Sequence, residues 1–119
     1  FYPKALTPGC TTQACGLRDA KSELEKLGVI ILGISTDAPK KLAQFVEKKA
    51  LNFTLLSDAD HQVAEKFGVW GEKKFMGRVY DGIHRISFLI DEQGKIQHVF
   101  DKFKTGEHHQ VVLDYLQSR

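Results

Sequence analysis

The chain has 119 residues, with 17 Lys and Arg against 15 Asp and Glu, a net charge of +2, 42% hydrophobic and 27% charged residues. That balance excludes a disordered or collagen-like chain, and no apolar run approaches the roughly 18 residues of a transmembrane helix. The Lys pairs at Lys40-Lys41, Lys48-Lys49 and Lys73-Lys74 are short and separated, so they form no basic stripe, and neither nucleic acid nor a membrane is an expected partner. At this length about two thirds of the unfolded chain's surface is buried on folding, which predicts one soluble domain over residues 1–119. Two cysteines, Cys10 and Cys15, are too few for a disulfide scaffold, and their importance is therefore chemical. The opening Phe1-Tyr2-Pro3 has no initiator Met and no signal-peptide pattern, as expected of the interior of a longer polypeptide.

In chain order, a loop from Pro3 to Gly9 leads to a helix over Thr11 to Leu27, with Ala14, Leu17, Leu24 and Leu27 on one stripe and Gly28 as its stop. The run Val29 to Ile34 is apolar without alternation, which predicts a strand buried on both faces of a parallel sheet. Asp37 is placed to cap a helix from Pro39 to about Ala50 that turns Leu42, Phe45 and Val46 inward. A short strand follows at Phe53 to Leu56. Ser57 to Asp60 offers capping oxygens to a brief helix from His61 to Phe67, closed by Gly68, and a polar loop is expected from Gly71 to Gly82.

Strands are predicted at Ile86 to Ile90 and Lys95 to Phe100, joined by the hairpin signal Asp91-Glu92-Gln93-Gly94. A last helix spans about Glu107 to Gln117, with Thr105 as candidate cap and Val111, Val112, Tyr115 and Leu116 as its apolar face. Crossover helices imply parallel pairing in the first half and the hairpin imposes antiparallel pairing in the second. The expected class is therefore α/β, a mixed β-sheet flanked by helices, with Phe1-Tyr2 ending a further strand.

The sharpest local signal is Pro3-Lys4-Ala5-Leu6-Thr7-Pro8-Gly9-Cys10, a loop that opens onto a helix with a thiol at its mouth. Unpaired N–H groups in a first helical turn carry partial positive charge and favour thiolate over thiol. Position alone leaves two roles open for Cys10, a nucleophile or a small buried hydrophobe. Cys15 lies about 140° around an ideal helix from Cys10, off the apolar stripe, where a core role does not suit it. Zinc spacing is absent, and His61, His84, His98, His108 and His109 are scattered, so no metal site is expected. A C-x-x-C pair is absent too.

The segment Phe1 to Thr11 with Ala14-Cys15 closely resembles the active-site region of the peroxiredoxin Q group, also called bacterioferritin comigratory protein. The similarity continues through Gly33-Ile34-Ser35-Thr36-Asp37, Phe67-Gly68-Val69-Trp70-Gly71-Glu72-Lys73 and Gly82 to Asp91, and so spans the chain. The family's Pro-x-x-x-Thr-x-x-Cys motif falls on Pro3, Thr7 and Cys10. The resemblance implies a thioredoxin-like fold, here without the N-terminal strands of the family, and a thiol peroxidase that needs no cofactor. It implies that Thr7, Gly9 and Cys10 cradle the hydroperoxide, that Pro3 shields the oxidised sulfur, and that Arg85 polarises the site. Trp70, Phe75 and Met76 are candidates for a pocket wall.

It further implies Cys15 as resolving partner, thioredoxin or glutaredoxin as reductant, and a cytoplasmic monomer or weak dimer. In an intact helix, residues five apart have Cα atoms about 8.7 Å apart. A disulfide needs roughly 4.4 to 6.8 Å, so closing one between Cys10 and Cys15 requires that segment to unwind. A thioredoxin-fold redox sensor or chaperone-like module, and a dithiol oxidoreductase, are the competing classes. Neither requires Thr7 and Arg85.

Overall fold

The computed structural model describes all residues from Phe1 to Arg119. Pro8 takes the first helical position of α1 (Pro8–Lys26), where its missing N–H costs nothing, so the helix begins three residues ahead of its expected start. Gly28, at φ +80°, follows the C-cap Leu27 and stops the helix as expected, its N–H donating to the Glu25 carbonyl at 2.9 Å. Strand β1 (Leu32–Ser35) begins later than the apolar run suggests and pairs in parallel with β2 (Thr54–Ser57), Leu32 opposite Thr54 and Ser35 opposite Ser57.

Expected burial on both faces of β1 is not what the structure shows: Ile30 is 88% exposed and Leu32 55% exposed. The reason is pairing, because β1 has a partner strand, β2, on one side alone. Its other edge faces an apolar trench of about 810 Å³, bounded by Val29 to Ile34 on one wall and Ser87 to Ile90 on the other. At one end of the trench, Tyr2 N–H donates to the Ile34 carbonyl at 3.1 Å and the Phe1 amine donates to the Ile86 carbonyl at 3.0 Å. These two residues thus bridge the first and second halves of the fold.

Helix α2 (Pro39–Lys49) buries Leu42 and Phe45 and stops where Ala50 turns left-handed at φ +49°. Asp37 does not cap it; the N-cap is Ala38, without a side-chain bond, and the Asp37 carboxylate is used elsewhere. Short α3 (Gln62–Lys66) receives the expected carboxylate support: Asp58, itself buried, accepts from Val63 N–H at 3.1 Å and Ala64 N–H at 2.8 Å.

The stretch expected as a polar loop is instead an antiparallel hairpin, β3 (Trp70–Phe75) and β4 (Arg78–Ile83). Its two-residue turn is Met76-Gly77, with both residues at positive φ (50° and 79°), as a type I′ turn demands. Met in the first turn position and charged residues along the strands hide that signal. A second hairpin, β5 (Ser87–Ile90) and β6 (Ile96–Phe100), lies where it is expected, with a register shift between Leu89 and Ile90.

Helix α4 (His108–Ser118) packs Val112, Leu113 and Leu116 inward, and Thr105 provides no cap because Glu107 occupies the N-cap position. Strand pairing is parallel in the first half and antiparallel in the second, as expected, though the strands form three separate pairs. The core is divided accordingly. Tyr2, Ala5, Cys10, Ala14, Leu42 and Phe45 pack where α1, α2 and the first loop meet. Ala20, Leu24, Phe100 and the apolar face of α4 form a second cluster, and Ala64, Val69 and Ile83 a third under the β3–β4 hairpin.

Candidate active site

Cys10 is the third residue of α1 and is only 2% exposed. The side chain belongs to a core cluster, as a small buried hydrophobe does, and it also faces a cation. Arg85 Nη2 approaches Cys10 Sγ at 3.4 Å, while Arg85 Nη1 donates to Gln13 Oε1 at 2.6 Å. The guanidinium is a fixed, permanently charged fork, so holding one tine on Gln13 aims the other at sulfur. The guanidinium N–H and the partial positive charge of the first helical turn both lie at the sulfur.

Gln13 is a residue that the sequence motif does not flag. Its position one turn beyond Cys10 and its burial at 6% exposure mark it as part of the site. A helix-face projection from Cys10 places it there; a search for chemically reactive side chains passes over it.

Gly9 lies against both elements, since a Cβ there would stand 3.4 Å from Arg85 Nη2 and 3.6 Å from Thr105 Cγ2, at ordinary van der Waals contact. Thr7 is the N-cap residue of α1, but its hydroxyl does not cap; it donates to the Lys4 carbonyl at 2.7 Å. That bond uses the hydroxyl proton and leaves the oxygen lone pairs to accept. The Pro3–Thr7 loop is anchored from β1: Ala5 N–H donates to Asp37 Oδ2 at 2.7 Å, and Ser35 Oγ donates to the same oxygen at 2.8 Å. Leu6 holds a left-handed conformation at φ +66°, a strained position for a residue with a branched side chain, maintained by these flanking bonds.

Cys15 lies on α1, partly exposed, and both thiols are free. The structure therefore brings Cys10, Gly9 and Arg85 together, keeps Thr7 on the same turn, and holds Cys15 apart on an intact helix. Trp70 stacks on His61 with ring centroids 4.0 Å apart, whereas Phe75 and Met76 are 65% and 87% exposed at the β3–β4 turn and do not wall the thiol. Lys73 Nζ donates to the Ile83 carbonyl at 2.9 Å; burial first, and then the Arg85 charge, push its pKa down.

The histidines are less uniform than their scatter suggests. His108 is 3% exposed, with Nε2 2.7 Å from Ser87 Oγ and Nδ1 unpartnered. Its pKa is pushed down to about 4 by burial, with the charges of the Phe1 amine, His109 and Arg85 adding to the effect. No group of three or more His, Cys, Asp or Glu side chains converges to hold a metal ion, and no helix is long and apolar enough to cross a membrane.

A buried thiol in a first helical turn, aimed at by a guanidinium, places the molecule among cysteine-dependent redox enzymes on a thioredoxin-like α/β frame. The AhpC/TSA family model matches residues 1–99, and the chain belongs to that family. It is 80% identical over 118 residues to a bcp-named relative from Haemophilus influenzae, an alignment covering 99% of this chain and 76% of the relative. Identity to peroxiredoxin Bcp of Escherichia coli strain K12 is 73% over 116 residues, or 98% of this chain and 74% of that protein. Among solved structures, the bacterioferritin comigratory protein of Xanthomonas campestris matches with a TM-score of 0.91 at 36% identity, covering 99% of this chain and 75% of its own. A structure of peroxiredoxin Q from the same organism matches with a TM-score of 0.92 at 36% identity, covering 100% and 75%. The chain thus spans about three quarters of the length of these relatives.

Proposed function

We propose that the chain is a thiol peroxidase domain that reduces hydrogen peroxide and organic hydroperoxides through Cys10, and that Cys15 resolves the oxidised sulfur. One observation carries the residue assignment: the buried Cys10 Sγ lies 3.4 Å from Arg85 Nη2 at the start of α1. The Cys10 thiolate attacks the terminal oxygen of the hydroperoxide, the S–O bond forms as O–O breaks, and the alkoxide leaves as the alcohol after taking a proton. Sulfur becomes a sulfenic acid, and the peroxide takes up the two electrons it loses.

The developing oxyanion needs a donor at the moment O–O breaks, and the Arg85 guanidinium is already positioned by Gln13 to supply it. The Thr7 oxygen, with its proton spent on Lys4, accepts from the hydroperoxide O–H, and Gly9 places the substrate beside Arg85. Pro3, at the head of the Asp37-anchored loop, limits access of water to the sulfenate. The alkyl peroxide reduction activity named for the Xanthomonas campestris protein supports organic hydroperoxides as substrates.

Thioredoxin or glutaredoxin then reduces the Cys10–Cys15 disulfide, and the protein acts in the cytoplasm as a monomer or weak dimer. The test is peroxide-dependent oxidation of NADPH through thioredoxin and its reductase. Turnover by the wild-type chain and its loss in Cys10→Ser are expected; a Cys10→Ser protein that keeps a large fraction of the activity refutes the assignment.

A further inference from the structure

The tertiary tethers of α1 divide at Cys15. Ahead of it, the polar tethers of the helix converge on one side chain, Arg85, which holds Cys10 and Gln13 together. One residue past Cys15, the helix meets α4 through the His109 ring, which fills the space beside Gly16: a Cβ on Gly16 would stand 2.5 Å from His109 Nδ1. That Nδ1 has no hydrogen-bond partner, so this contact adds packing but no polar bond. Oxidation of Cys10 alters the group that Arg85 holds, and with it the principal polar anchor of the first turns.

Behind Cys15 the attachment is of another kind. Arg18 Nη1 donates to the Lys49 carbonyl at 2.6 Å, at the end of α2 where carbonyls have no helical partner, and Nε donates to Asp19 Oδ1 at 2.9 Å. In the reverse direction, Asn52 Nδ2 donates to the Arg18 main-chain carbonyl at 3.1 Å. Residue 18 is thereby pinned to the α2–β2 connection through both side chain and backbone. Ala20 and Leu24 follow it into the core at 5% and 1% exposure.

We propose that Arg18 is a positioning residue for disulfide formation, the fixed point at which unwinding of α1 stops, so that Cys15 moves toward Cys10 on a leash of three residues. The proposal rests on the roles assigned above to Cys10 and Cys15. In the step it serves, the Cys15 thiolate attacks the Cys10 sulfur, the S–S bond forms, the S–O bond breaks, and the departing hydroxide takes a proton to become water. Three residues extend at most about 10 Å, so a pinned Arg18 keeps Cys15 near its starting place while it turns. Without the pin, opening spreads into the next turn, and the longer mobile segment dilutes one sulfur around the other.

The experiment is hydrogen exchange on the reduced and disulfide forms of the full chain, combined with rapid alkylation after one equivalent of hydrogen peroxide. In wild type, exchange rises from Cys10 to about Lys21 on oxidation, because the first four N–H groups behind the unwound segment lose their carbonyl partners, and stays slow from Ser22 onward. In Arg18→Ala the slow boundary moves toward Lys26 in the disulfide form alone, disulfide closure slows several-fold, and Cys10 oxidation keeps its rate. Arg18→Lys, which still donates to the Lys49 carbonyl, restores most of both. Should Arg18→Ala loosen both redox forms, Asn52→Ala removes only the bond to the Arg18 carbonyl and must shift the boundary in the same sense. A disulfide form whose boundary is unmoved by either substitution overturns this proposal while leaving the peroxidase assignment standing. A chain that reduces peroxide yet forms no Cys10–Cys15 bond overturns the resolving role and the proposal together.

Discussion

Gln13 and Cys10, one helical turn apart, share a single guanidinium: Arg85 donates to Gln13 Oε1 at 2.6 Å and reaches Cys10 Sγ at 3.4 Å. Gln13→Leu keeps the bulk and removes the acceptor, freeing Arg85 to leave the sulfur. We expect the second-order rate of Cys10 oxidation to fall about tenfold, in line with one charge-assisted hydrogen bond. Arg85→Ala removes the donor itself and is expected to cost about 10²-fold. Stopped-flow oxidation by hydrogen peroxide measures both, and equal rates in Gln13→Leu and wild type would reduce Gln13 to a packing role.

Asp37 ties the site's loop to β1 through one carboxylate oxygen that accepts from Ala5 N–H and Ser35 Oγ. Ser35 is fully buried and Ala5 is 1% exposed, so Asp37→Ala strands donors that water reaches poorly. A loss of about 2 kcal/mol in urea unfolding is expected, together with slower peroxide reduction as the Pro3–Thr7 loop loosens. Unchanged stability would show that the loop is held by Leu6 and Tyr2 packing instead.

How much of this was legible in the sequence follows from which interactions are local. The Cys10 thiol at a helix mouth, the Asp91–Gly94 turn and the carboxylate support of α3 are read from residues a few positions apart, and the structure places all three as expected. The site's cation is 75 positions away from its sulfur, and no periodicity links Arg85 to Cys10; family resemblance supplied it. The two misjudged elements failed for opposite reasons. Ile30 and Leu32 carry the composition of a buried strand, but burial depends on a neighbour that β1 has on one edge only. The β3–β4 hairpin carries charged strands around a Met-Gly turn, and its backbone pairing overrides that composition. Asp37 sits at the spacing of a helix cap, but its carboxylate is taken by Ala5 N–H, 32 positions back, and by Ser35 Oγ, two positions back.

His108 sets a pH dependence whose sign follows from its burial. Its pKa is 6.5 when unfolded and about 4 when folded, so above pH 6.5 the group is neutral in both states and contributes nothing. Between pH 6.5 and 4 the unfolded chain takes up a proton that the folded chain refuses, and stability falls as pH falls. The full effect is about 3 kcal/mol, flattening below pH 4. Urea titrations at pH 7 and pH 4 measure it, and His108→Gln, which keeps a polar partner for Ser87 Oγ, should remove most of the difference. An identical acid sensitivity in that variant would assign the effect to other groups.

The intact helix through both thiols makes a specific demand on the oxidised protein. Cys10 and Cys15 lie within one uninterrupted α1, where their Cα atoms are about 8.7 Å apart and a disulfide cannot close. Formation of the bond must therefore lower helicity, and far-ultraviolet circular dichroism should lose about two turns of signal on adding peroxide. The local sequence keeps that loss small in energy. Gly16 costs a helix interior about 1 kcal/mol relative to Ala, and Thr11 and Thr12 are weak helix formers, with Thr12 Oγ1 donating back to the Pro8 carbonyl at 3.0 Å. Restoring helix propensity at Gly16 should then slow closure, but a Cβ there collides with the His109 ring, so the substitution is made in a His109→Ala background. Against His109→Ala alone, the double variant Gly16→Ala/His109→Ala is expected to form the disulfide about fivefold more slowly, with Cys10 oxidation unaffected. Its sulfenic acid persists longer as a result, and mass spectrometry under excess peroxide should show more sulfinic acid at Cys10, as it should in full for Cys15→Ser. Disulfide closure at an unchanged rate, or a disulfide form with undiminished helix signal, would mean that the two sulfurs meet by a route other than unwinding of α1.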